Sequence, residues 1–65
     1  MNIFDKVVIK TGLVPEEMYG RDIFVDTMEE YCGKTATIIG QTEHGWELDV
    51  DDKFWTWTDE MLELV

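Results

Sequence analysis

The segment Trp46-Glu47-Leu48-Asp49-Val50 alternates apolar and acidic side chains without a break, and this constrains the fold more than any other feature. Successive side chains of a strand point to opposite faces, so Trp46, Leu48 and Val50 should face a core while Glu47 and Asp49 face water. Upstream, Lys34-Thr35-Ala36-Thr37-Ile38-Ile39 reads as a second half-buried strand, with Ala36 and Ile38 on one side. Glu43-His44-Gly45 is then a three-residue hairpin connection, in which Gly45 can take the left-handed conformation that such a turn uses.

The rest of the chain fits around this hairpin. Lys6-Val7-Val8-Ile9-Lys10 is rich in β-branched residues and reads as the first strand, ended by Thr11-Gly12. From Gly12 to Gly33 a long irregular loop is expected, with a turn at Pro15-Glu16-Glu17 and a loop at Tyr19-Gly20. Phe24, Met28 and Tyr31 have helical spacing, which suits a short helical turn over Asp26–Tyr31, although Ile23-Phe24-Val25 could equally be extended. Asp51-Asp52 forms a turn, and Lys53-Phe54-Trp55-Thr56-Trp57 follows as a strand that pairs with 46–50. Thr58 is placed to cap a single turn, Asp59-Glu60-Met61, whose acidic residues suit its positive end. Leu62–Val65 is left as a short last strand.

A chain of 65 residues is one domain, residues 1–65, and domains of this size bury only about 60% of the surface their unfolded chains expose. Its 45% hydrophobic content is too high for a disordered tail, and the expected net stability is on the order of 3–5 kcal/mol. Cys32 is the only cysteine, so no internal disulfide can form, and a reducing cytosol is the expected compartment. The opening residues lack a signal-peptide pattern, and no apolar run approaches the ~20 residues that span a bilayer. Short strands, closely spaced turns and one helical turn before the last strand imply an all-β fold closed into a barrel, which hides its edges.

Fifteen acidic residues against five basic ones give a formal charge of −10. Such a surface repels phosphate backbones and anionic membranes, so no direct nucleic-acid or membrane binding is expected. A protein partner with a basic or extended-peptide surface is favoured, with association weakening as salt rises. The chain itself is expected to be a monomer or weak oligomer.

Several stretches resemble small uncharacterised SH3-like proteins encoded by bacteriophages and prophages. These are Val7-Val8-Ile9-Lys10, Tyr19-Gly20, the Phe24 to Met28 spacing, Gly33–Ile38 and Trp57-Thr58-Asp59-Glu60-Met61-Leu62-Glu63. The pattern is also distantly similar to the Mind-bomb type of SH3-like repeat. The resemblance implies a small SH3-like β-barrel of about five strands, with a long loop after strand 1 and one 3-10 turn before the last strand. It further implies a phage origin, in a bacterial host's cytosol, and it supplies no activity.

Catalytic equipment is sparse. There is no serine, and the only histidine, His44, falls in a hairpin turn as a solvated residue, so no catalytic residue and no cofactor are assigned. Asp49-Val50-Asp51-Asp52 with Glu60 has the spacing of part of a calcium loop. Lys53 and Phe54 occupy the fifth and sixth positions, where a ligand and a glycine are required, so no metal site is assigned. Exposed aromatics and acidic residues remain, and they define a candidate partner-binding set: Tyr19, Phe54, Trp55, Trp57, Glu47, Asp49, Asp51, Asp52, Asp59 and Glu60. Alternation over 53–58 sends Trp55 and Trp57 to one face and Phe54 to the other. One reading is a non-enzymatic acidic protein-binding module. A second is an anionic inhibitor that mimics nucleic acid, because strand-face carboxylates repeat at ~7 Å, close to the spacing of phosphates. A third is a structural or accessory protein of a larger assembly.

Overall fold

The computed structural model describes all 65 residues, and strand is its dominant regular structure, with 37% of residues in extended pairing. In chain order the strands are β1 (Lys6–Ile9), β2 (Glu17–Tyr19), β3 (Asp22–Phe24), β4 (Thr35–Gln41), β5 (Trp46–Leu48) and β6 (Leu62–Leu64). A first 3-10 turn spans Asp26–Tyr31 and a second Asp59–Met61. The main sheet is antiparallel, in the order β5-β4-β1-β6, and β2-β3 form a separate two-stranded sheet. The sheet is therefore not closed, which corrects the expected barrel closure: β6 pairs with β1 alone and is an edge.

Inward-facing residues of the alternating strands build the core. Val7 and Ile9 of β1, Ala36 and Ile38 of β4, Leu48 of β5 and Leu62 of β6 meet Phe24 of β3 and, from the connections, Met28, Trp57 and Met61. Burying each large apolar side chain contributes about 1.5–3 kcal/mol against the entropy of ordering it. The connections matter as much as the strands, because 20 of the 31 backbone hydrogen bonds lie in turns, loops and caps.

Four expectations are corrected. The long loop after β1 contains a hairpin, β2-β3, whose turn uses Gly20 at φ +72°. Gly45 is not left-handed. Its role is a close approach, since a Cβ there would collide with the Trp57 carbonyl, to which the Trp46 amide donates at 2.8 Å. Lys53–Trp57 is not a strand: only Trp57 pairs, in an isolated bridge with Trp46, and Asp52 and Lys53 are left-handed at φ +56° and +65°. Thr58 does stand at the N-cap, but its hydroxyl makes no capping bond and is buried without a partner.

Candidate functional site

β5 ends at Leu48, two residues earlier than the alternation suggests, because the acidic residues that follow bond to the fold itself. Asp49 Oδ1 accepts the Thr37 amide at 2.9 Å. Asp51, expected as a solvated turn charge, is only 8% exposed. Its Oδ2 accepts the Trp55 amide at 2.9 Å and the Trp57 indole N–H at 3.0 Å, while Oδ1 is buried without a hydrogen-bond partner. Asp51 thus ties the 51–57 loop to the core and presents no charge for a partner to touch. Trp57 is likewise fully buried, so neither belongs to an accessible surface. The regular row of carboxylates expected along 47–51 is absent, since Glu47 is half-buried, Asp49 bonds back to β4 and Asp51 is internal.

The remaining members of the expected set fall into separate places. Tyr19 is half-buried, packs edge-on against Phe24 with centroids 6.3 Å apart, and its hydroxyl accepts the Val14 amide at 2.7 Å. Phe54, a member of the candidate partner-binding set, is 75% exposed. It stands edge-on to half-buried Trp55 at 4.6 Å. Asp52 is exposed in the same turn. Asp59 and Glu60, in contrast, lie in a groove formed by the β2-β3 turn, the β4-β5 connection and the second 3-10 turn.

That groove has a volume of about 300 Å³ and a polar lining in which Trp46 is the one large apolar side chain. The Trp46 indole N–H donates to Asp59 Oδ1, which fixes both side chains at the rim. Glu60 is held beside Gly20, where a Cβ would come within 3.1 Å of its Oε2. Thr58, with its unpartnered hydroxyl, lies beneath. Two long contacts join the loops at the mouth. Arg21 Nη1 donates to the Glu43 carbonyl at 3.4 Å, and His44 Nδ1 lies 3.8 Å from Asp22 Oδ2. The sequence reading missed Trp46, Arg21, Glu43 and His44 as groove residues. Trp46 follows a glycine at a loop end, which is a usable signal, whereas Arg21 enters the groove only through the unforeseen β2-β3 turn.

No group of three or more histidine, cysteine or acidic side chains is arranged to hold a metal ion. Burial, reinforced by the charge of Glu29, pushes the Cys32 thiol above its ordinary pKa, which disfavours the nucleophilic thiolate. Tyr31 is also raised, mainly by desolvation, then by the charge and hydrogen bond of Glu30 and the charge of Asp51. No helix is long and apolar enough to cross a membrane. Comparison with family models, with curated proteins and with solved structures gives no match.

Proposed function

We propose that this chain is a non-enzymatic acidic protein-binding module, an open SH3-like barrel of phage or prophage origin, that holds a basic, extended segment of a partner protein. The fold reading is supported by the order of elements: a first strand, a hairpin-bearing loop, two paired strands, and a 3-10 turn leading into a last strand beside the first. The observation that carries the functional reading is the groove. Its Trp46 ring is flanked by Asp59 and Glu60, so an aliphatic stem can lie on the indole while its cationic end meets a carboxylate. Its polar lining and open shape suit a surface-bound chain better than an engulfed small molecule.

The test is capture of partners from a nuclease-treated host lysate at low and high salt, with the wild type and an Asp59→Asn/Glu60→Gln variant. Asparagine at 59 keeps an acceptor for the Trp46 indole, so the fold is preserved. Salt-sensitive capture of a protein through a basic segment, lost in the variant, is the expected result. A partner retained by the variant removes the groove from the proposal. A nucleic-acid-binding partner released equally by neutralising Glu16 and Glu17 instead would favour mimicry by overall charge.

A further inference from the structure

Three aromatic rings outside the groove form a continuous row. Phe54 meets Trp55 edge-on at 4.6 Å, and Trp55 meets Tyr31 at 6.0 Å, with fully buried Trp57 also 6.0 Å from Tyr31. The row rises from the core to solvent, and its outer member has no packing role, since Phe54 is 75% exposed. The backbone that presents it is nonetheless unusual: Asp52 and Lys53 are both left-handed, a conformation that is unfavourable for residues with side chains. Asp51 anchors this turn to the core, yet the ring the turn lifts into water adds nothing there, and backbone outliers of this kind cluster at binding sites.

The charge around the row selects the occupant. Glu29 and Glu30 of the first 3-10 turn and Asp51 and Asp52 of the loop outnumber Lys34 and Lys53. Glu30, exposed and next to Tyr31 in the chain, raises the pKa of the Tyr31 hydroxyl, and Asp52 is exposed two residues before Phe54. Asp51, more than nine-tenths buried, holds the row from within, its Oδ2 accepting the Trp55 amide at 2.9 Å and the Trp57 indole N–H at 3.0 Å. The fold already draws one cation to the row: the Lys34 ammonium is 5.3 Å from the centre of the Tyr31 ring.

We infer that Phe54, Trp55 and Tyr31, flanked by Glu30 and Asp52, form a second recognition surface that takes an arginine side chain from a basic partner segment. The planar guanidinium stacks on the exposed Phe54 ring beside half-buried Trp55 and leaves its N–H donors for the flanking carboxylates, which an ammonium does less well. None of these residues lines the groove, so this surface stands or falls separately from it.

The three indole N–H groups allow a direct test. Isotope-labelled protein is titrated with acetyl-Gly-Arg-Gly amide, and with the corresponding lysine and leucine peptides, while the Trp46, Trp55 and Trp57 indole resonances are followed. The arginine peptide should shift the Trp55 signal in a saturable way, and the leucine peptide should not. Phe54→Ser and Glu30→Gln/Asp52→Asn should each weaken that titration roughly two- to fivefold. An unchanged Trp57 resonance verifies that each variant is folded. Asp59→Asn/Glu60→Gln should leave the Trp55 titration intact, so loss of the groove reading would not remove this one. The inference is overturned if Trp55 fails to respond, if leucine shifts it as well as arginine does, or if Phe54→Ser titrates like the wild type.

Discussion

The Asp51 carboxylate lies inside the molecule and accepts the indole N–H of Trp57 at 3.0 Å, so an anion organises the most irregular part of an otherwise apolar core. Its second bond, from the Trp55 amide, holds the loop in the path that keeps 53–56 out of the sheet. Removing the acceptor leaves two donors without partners. Asp51→Ala should therefore cost about 2–4 kcal/mol, most of the stability expected of so small a domain. Asp51→Asn, which keeps a carbonyl oxygen, should cost less. Urea unfolding of the two variants followed by tryptophan fluorescence checks the order.

Phe54 and Trp57 are both aromatics of the same five-residue stretch, and their stability effects should differ sharply. Phe54→Ser should change stability by no more than about 0.5 kcal/mol, because the ring is in water. Trp57→Phe should cost about 2–4 kcal/mol, through the space left in the core and the donor lost to Asp51. Thermal melts of the two proteins would separate the structure from the alternating strand that the sequence suggests. Equal losses would contradict the fold described here.

Gly45→Ala should weaken the fold by about 1–3 kcal/mol through collision with the Trp57 carbonyl. The effect should be local in origin. Hydrogen exchange should show the Trp46 and Trp57 amides, which donate across the bridge at 2.8 and 2.9 Å, losing protection before the β1-β4 amides do.

Stability should decline in alkali. Cys32 and Tyr31 both have pKa values raised above 9.0 and 10.0 by burial and neighbouring acids, so the folded state favours their protonated forms. The unfolded chain releases these protons first as pH rises. Stability should hold below pH 9 and fall above it, and Cys32→Ala should remove the earlier part of the decline. In the native state, iodoacetamide should alkylate Cys32 more slowly than a free cysteine at the same pH.

Much of the architecture was legible. β1, β4 and β6, the Asp26–Tyr31 turn and the Asp59–Met61 turn all fall where local patterns put them, because each has its own periodicity or flanking turn residues. Of the β2-β3 hairpin, the extended alternative for Ile23-Phe24-Val25 matches β3 in part, but the pairing was hidden by brevity: three residues per strand are too few for alternation to stand out, and Met18 and Ile23 pair on an exposed side. The Lys53–Trp57 segment misled for another reason. Its aromatic and β-branched composition favours a strand, but the left-handed pair at 52–53 and the burial of Asp51 are tertiary choices that no local propensity records. The groove was half legible. Asp59 and Glu60 stood out as charges, whereas Arg21, His44 and Trp46 converge only once two separate turns are brought against the second 3-10 turn.

The unpaired outer side of β6 gives the excess of carboxylates a colloidal task. A strand with one free edge can recruit the same strand of a neighbour, and the exposed Leu64 and Val65 would reward that stacking. At neutral pH mutual repulsion between chains of charge −10 keeps such edges apart. Near the isoelectric point of 4.1 that repulsion vanishes, and fibre-like assembly through the terminal strand becomes the expected fate of concentrated protein.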